Sequence, residues 1–473
     1  MNRVRDFEVV VIGAGPAGTA AALRSADLGA TTALITRGAF GGMSANEGPI
    51  PVRTLAHAAR LAREARQLPR YGIVGEAPSL DYRGLLARAR EVVAEARDHS
   101  TLLEQCRAAG VALFENAGTA EFEDAHAIRS ERAPPIRGER FVICTGGVSR
   151  PLSVPGAELS VTPADAFSLS AVPRSMIVIG AGATGMQVAS IFNAFGTSIA
   201  LCQAGARIIP TEDADVSHEV AAAFREDGIA IYENFGRIEC IEPAAGGLLI
   251  VGSGGGLSLA AELVVSAIGW TAAPGALNLD AAGVRTGARG FVEVDDALRT
   301  SAAHVYAAGD VLGRSMLVPQ AVRDGFVAGN NAAGAPELTV SPGVEPIGSF
   351  TDPEYAKVGL TEEEARKTRD VCVARASYAE TTRPIIDGRT RGFCKVIADR
   401  ATLELLGCHI VGERAVEVAQ MAAIAMTAKM RLDDLARIPL SFPTYANVFG
   451  RAVLRAVRET GHPTSASIAP ADV

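Results

Sequence analysis

Two glycine-rich turns carry the clearest chemistry in this 473-residue chain. Gly13, Gly15 and Gly18 form G-x-G-x-x-G between a β-branched run, Val9 to Ile12, and a stretch with helical apolar spacing that includes Pro16 and Ala17. Gly180, Gly182 and Gly185 repeat the pattern 167 residues later (180 − 13), around Ala183 and Thr184, again after a β-branched run. Glycines at these positions permit a tight turn, close approach of backbone to a pyrophosphate, and close packing of helix on strand. The helix that follows turns its partial positive charge toward the phosphates. Two such turns in one chain predict two dinucleotide sites. A third feature, Gly309-Asp310, closes the run HVYAA and puts a carboxylate at a predicted strand tip, where a polyol hydroxyl could bind; in isolation Gly-Asp is also an ordinary turn. Between the turns lies GGMSANEGPIPVR, residues 41 to 53, a loop dense in Gly and Pro that offers the hydroxyl of Ser44, the carboxylate of Glu47 and the guanidinium of Arg53.

A dinucleotide fold usually places a ribose-binding acid about 20 residues into the unit. Counting 18 residues from the last glycine of each turn (36 − 18 and 203 − 185) reaches Thr36 and Gln203, neither of them acidic. Thr36 keeps hydrogen-bonding capacity and has Arg37 beside it. Gln203 leaves NADH and NADPH undecided, with Arg207 near enough in sequence to reach a 2′-phosphate.

These residues need a frame of alternating strands and helices. FEVVVIGAGPAGTAAALRSADLGATTALITR reads as strand, helix, strand, and the same order recurs from Ser175. FVICTGG, which contains Thr145 and Gly146, and LVVSAIGW, which contains Gly269, end strands in glycine turns at crossings between domains. After about residue 340 the glycine turns stop and an α+β pattern begins. The segment after Ala456 is polar and Pro/Ser-rich, which predicts a poorly ordered tail. A net charge of −8 with no dense Lys/Arg cluster argues against a nucleic-acid surface. No uninterrupted apolar run is long enough for a membrane span. Seven scattered cysteines without C-x-x-C spacing suit reduced thiols in a cytoplasmic protein, and no metal site is readable.

From Phe7 to about Ala456 the chain resembles the FAD-dependent pyridine nucleotide-disulfide oxidoreductases, the group of dihydrolipoamide dehydrogenase, glutathione reductase and mercuric reductase. GAGPAG, the 41–51 loop, the Thr-Gly turn, GAGATG, AAGD and FTDPEYAKVGLTEEEAR carry the resemblance, in that order. It implies an α/β fold with two Rossmann-like domains, for FAD and NAD(P), and a C-terminal α+β dimerisation domain. The expected boundaries are an FAD domain at 1–155, an NAD(P) domain at 156–274, a central segment completing the FAD domain at 275–344, a dimerisation domain at 345–457 and a flexible tail at 458–473. FAD contacts are expected at the first glycine turn and at Thr36, Arg37, Gly41, Gly42, Met43, Arg53, Gly118, Ala120, Thr145, Gly146, Gly269, Gly309 and Asp310. NADH or NADPH is expected at the second turn, with Gln187 and Gln203.

The resemblance also marks departures. Disulfide-reducing members carry two cysteines where this chain has Ser44 and Pro49, and a His-Pro-Thr-x-x-Glu motif where it has Phe442-Pro443-Thr444-Tyr445-Ala446-Asn447. His462-Pro463-Thr464 imitates that motif later in the chain, without the acid three residues on. Arg53 and Gln187 replace a flavin-side Lys and Glu. The expectation that follows is a homodimeric oxidoreductase without a redox-active disulfide, passing electrons from NAD(P)H through FAD to a small-molecule acceptor such as a quinone, with Ser44, Glu47, Pro49, Arg53, Phe442 and Asn447 around the acceptor. Three alternatives stay open: hydride exchange between coenzymes in the manner of soluble transhydrogenases, a metabolite-specific flavin dehydrogenase or oxidase, and a non-catalytic FAD-binding dimer.

Overall fold

Val9 to Ile12 are at most 4% exposed, because the strand they belong to, Arg5–Ile12, has a parallel neighbour on either side: Thr32–Ile35 and Ile136–Ile143. Strands in the interior of parallel sheets read as continuous apolar runs, and this one does. The computed structural model describes residues 5–76, 78–99, 101–253, 257–273, 277–340 and 343–461. The chain forms two units, one of Met1–Leu55, Asp81–Arg150 and Gly269–Pro342, the other of Ala56–Leu80, Pro151–Ile268 and Gly343–Val473.

In the first unit the sheet runs Ala112–Phe114, Thr32–Ile35, Arg5–Ile12, Ile136–Ile143, Ala127–Ser130, Ala120–Asp124, and Val305–Ala307 also pairs with Ile136–Ile143. The helix Pro16–Asp27 starts after Gly15 with proline at its first position, where the missing N–H costs nothing. It packs against a second helix, Val318–Ala332, along a seam of small residues. A Cβ built on Gly325 would lie 2.1 Å from the Ala17 carbonyl oxygen, and one on Gly329 2.4 Å from that of Ala21.

The second unit contains a parallel sheet in the order Ala230–Tyr232, Ser198–Cys202, Ser175–Ile179, Leu263–Ser266. A three-stranded antiparallel sheet follows (Ile238–Ala244, Gly247–Gly252, Ser258–Ala261), then a five-stranded one in the order Ile347–Ser349, Tyr355–Gly359, Leu405–Val411, Phe393–Asp399, Val371–Ser377. The helices Ala415–Thr427 and Ala446–Thr460 complete the core around the last of these, through Ala419, Ala422, Val453 and Ala456.

Every residue of Phe393–Asp399 is buried, Lys395 included. Its ammonium lies 2.9 Å from both Asp213 Oδ1 and Asp215 Oδ2 and is also paired with Glu362. Burial alone would lower the Lys395 pKa; these carboxylates more than offset it and raise it.

The C-terminal expectation needs one correction. The last helix runs on to Thr460 and closes at Gly461, with φ +70°. Arg458, Glu459 and Thr460, read from composition as tail, form its final turn, because Val448, Phe449, Ala452, Val453, Ala456 and Val457 make one buried stripe and the polar residues are its solvent side. His462-Pro463-Thr464 and the rest of the predicted tail lie outside the described residues. Among the described residues no helix is long and apolar enough to cross a membrane.

Candidate active site

The two glycine turns are built alike. Gly13 and Gly180 have φ of +109° and +100°, a region that favours glycine. Each turn is tied to the end of the neighbouring parallel strand, Gly13 N donating to Ile35 O and Gly180 N to Cys202 O, both at 2.8 Å. A Cβ on Gly18 would lie 1.7 Å from the Gly13 carbonyl oxygen, and one on Gly185 1.9 Å from that of Gly180. The third glycine therefore lets each helix sit directly on its turn. Gly15 and Gly182 differ in purpose: nothing lies closer than 3.9 Å to a Cβ on Gly15, and nothing within 4 Å of one on Gly182. Space is kept at the helix N-termini, where Pro16, Ala17, Ala183 and Thr184 begin the first turns.

In the first unit, the 41–53 loop folds onto the turn. Gly41 N donates to Ala14 O at 2.9 Å, and Gly42 packs on Gly15. A short helix, Gly42–Asn46, precedes the longer one, Pro49–Ala65. The Ser44 hydroxyl donates to Gly41 O at 3.1 Å, and Met43 O accepts from the backbone N–H groups of Glu47 and Gly48. Asn46 ties the loop down through Phe40 O and Gly42 O and accepts from Arg97 at 2.8 Å. Glu47 and Pro49 are exposed; Ser44 and Arg53 are half-buried.

Other predicted FAD residues reach the same unit from several strand ends. Thr36 is buried, its backbone bonded to Phe114 and Ala117, while Arg37 is exposed and its carbonyl accepts from Gly118 N. Ala120 begins the edge strand Ala120–Asp124. Gly146 and Gly269 both have positive φ, +75° and +105°. Thr145 Oγ1 is buried without a hydrogen-bond partner, and Gly309, at φ +80°, turns the chain so that the half-buried Asp310 follows the strand Val305–Ala307. Burial raises the Asp310 pKa. A buried orphan hydroxyl and a desolvated carboxylate at neighbouring strand tips fit a ligand rich in hydroxyl and amide groups.

Sequence reasoning missed Gln320 and Asp324, which stand on the helix behind Asp310. Asp324 is fully buried, accepts from Gln320 Nε2 at 3.3 Å and has Arg314 Nη1 4.0 Å away. Burial raises its pKa, opposed by Arg314 and Arg323. The available signal was an acid beside a glycine, Asp324-Gly325, inside a helix.

In the second unit, Gln203 Oε1 accepts from Ala181 N at 3.3 Å, inside the glycine turn, and Gln187 Nε2 donates to Ala183 O at 3.4 Å. Farther along the chain, Phe442 is 55% exposed, and Asn447 Oδ1 accepts from Thr444 N at 2.8 Å at the start of the last helix. The seven cysteines are all free thiols, and none falls in residues 41–53. Burial pushes the Cys144 and Cys202 thiols up, so neither is poised as a thiolate.

Residues 7–325 match the pyridine nucleotide-disulphide oxidoreductase family, and residues 346–453 match that family's dimerisation domain. This chain belongs to that family, and its cofactors are FAD and NAD(P)H. It is 31% identical to dihydrolipoyl dehydrogenase 3 of Haloarcula marismortui, over 96% of this chain and 97% of that one. It is 30% identical to a mercuric reductase of Bacillus cereus, over 95% of this chain and 71% of the relative. Among solved structures, the HOCl-induced flavoprotein disulfide reductase RclA of Escherichia coli superposes with a TM-score of 0.84 at 25% identity, covering 94% of this chain and 99% of that one. The glycine cradles, the orphan Thr145 hydroxyl and the half-buried Asp310 fit FAD in the first unit; the open Gly182 and the bare helix N-terminus fit a pyridine nucleotide in the second.

The comparisons correct the functional expectation. An acceptor other than a disulfide, with its alternatives of coenzyme exchange, metabolite oxidation and a non-catalytic dimer, is overturned by relatives over nearly the whole chain that are named dihydrolipoyl dehydrogenase and by a structural neighbour named a disulfide reductase. Ser44 and Pro49 limit how sulfur chemistry is arranged. They do not identify the class of acceptor, and the expectation treated them as if they did.

Proposed function

We propose that this protein is an FAD-dependent, NAD(P)H-linked disulfide oxidoreductase whose reacting disulfide is brought by the substrate. The observation that carries this reading is the seating of the 41–53 loop on the first glycine turn, through Gly41 N to Ala14 O, in a chain whose relatives are named for disulfide chemistry along nearly their full length. Bound FAD supplies a two-electron relay between coenzyme and disulfide. The overall change balances as NAD(P)H, one proton and a disulfide giving NAD(P)+ and two thiols.

The chain's own residues hold and exclude. The first glycine turn would hold the FAD pyrophosphate, and Asp310 and Thr145 would hold its polar groups. Ser44, whose hydroxyl is committed to the Gly41 carbonyl, lines the substrate side without acting as a nucleophile. The matched dimerisation domain supports a homodimer, and the free thiols suit a reducing compartment such as the cytoplasm.

Anaerobic titration tests the proposal. NADH or NADPH should bleach the flavin absorbance, and oxidised lipoamide or glutathione disulfide should restore it as thiol appears. A reduced flavin that persists with every disulfide offered refutes it.

A further inference from the structure

We infer that the coenzyme site in the second unit selects NADPH over NADH, with Gln203 and Arg207 reading the 2′-phosphate. The inference rests on the coenzyme site of the proposed function and concerns only its adenosine end.

The segment 203–209 is pinned to the glycine turn at both ends through a single residue. Ala181 N donates to Gln203 Oε1 at 3.3 Å, and Ile209 N donates to Ala181 O at 2.8 Å. The residues between them are therefore held beside the turn that takes the pyrophosphate, and Arg207 is one of them. The first unit places Gly41 on Ala14 in the same way, so this is how both dinucleotide turns hold the loop after their second strand.

The orientation of the Gln203 amide follows from chemistry. A backbone N–H only donates, so the atom facing Ala181 is the oxygen, and the amide nitrogen is the end left over. At the position where an acid offers acceptors alone to a ribose hydroxyl, the side chain therefore brings two amide N–H donors, beside the one lone pair its oxygen has left. A phosphate offers acceptors, and suits those donors.

Arg207 adds charge. One of its N–H groups donates to Pro210 O at 2.8 Å, which anchors the guanidinium and leaves others for a phosphate oxygen. The neighbouring carboxylate, Glu233, is already engaged: Oε1 accepts from Ile208 N at 3.1 Å and Oε2 pairs with Arg225 at 2.8 Å.

Calorimetric binding of adenosine 2′,5′-bisphosphate and of 5′-AMP to the FAD-loaded dimer separates this inference from catalysis. The bisphosphate should bind about tenfold tighter or better, the usual scale of one charge-assisted contact. Arg207→Ala should remove most of that preference with the flavin spectrum unchanged, and Gln203→Glu should weaken the bisphosphate further. Equal or tighter binding of 5′-AMP by the unaltered protein overturns the inference, as does an Arg207→Ala variant that keeps the full preference. Flavin reduction reports on the other reading: equally fast bleaching by NADH and NADPH upholds the oxidoreductase and sinks the selectivity, whereas selective bisphosphate binding without bleaching does the reverse.

Discussion

Gly42 rests on Gly15 so closely that a Cβ at residue 42 would stand 2.7 Å from the Gly15 Cα. The loop that carries Ser44 is therefore part of the wall of the first dinucleotide turn, and the two cannot be changed independently.

Gly42→Ala should cost FAD. Residue 42 has φ +58°, which a side chain adopts only with strain, and the clash is with backbone that has nowhere to move. The flavin-to-protein ratio after purification should fall well below that of the unaltered protein, while far-ultraviolet circular dichroism keeps its shape.

Lys395→Met should destabilise the second unit by about 3–5 kcal/mol, the usual consequence of breaking a buried ion pair from one side. Asp213, only 3% exposed, would be left without its ammonium partner. Chemical denaturation followed by circular dichroism checks this; a loss below about 1 kcal/mol would mean that the buried charges relax easily.

Glu354 gives the chain a defined pH response. Burial, with repulsion from Glu417 and Glu413, pushes its carboxyl from 4.5 up to about 7, against a smaller downward pull from Val416 N and Arg60. The folded state thus holds this proton more tightly than the unfolded state. Its contribution is fully present below about pH 4.5 and is lost as pH rises toward and through 7. Glu354→Gln should remove that loss and stand roughly 3 kcal/mol above the unaltered protein at pH 8, from the rise of 4.5 to about 7 on a scale of about 1.4 kcal/mol per pKa unit. Melting temperatures between pH 5 and 8 decide it: parallel curves for the two proteins would show that the carboxyl titrates normally.

Much of the scaffold was legible because its signals are local. Val9 to Ile12, the glycine turns and the strand-ending Gly309-Asp310 announce themselves within a few residues, each having one backbone role to play. What was not legible depends on residues far apart in sequence. The seam of Ala17 and Ala21 against Gly325 and Gly329 is one case; the meeting of Asp324 with Arg314 behind the flavin turn is another. Gln203 was legible as a missing acid, but only the fold shows its oxygen accepting from Ala181 N. The functional misreading came from Ser44 and Pro49. A side chain absent from one loop says which atom cannot react there, and an acceptor is selected by a whole surface.

Stoichiometry of thiol release tests the central claim most directly. With purified FAD-loaded dimer, a disulfide substrate and limiting NAD(P)H under nitrogen, the account predicts two new thiols for each coenzyme oxidised. Coenzyme oxidation without thiol release, or thiol release without coenzyme oxidation, would contradict it.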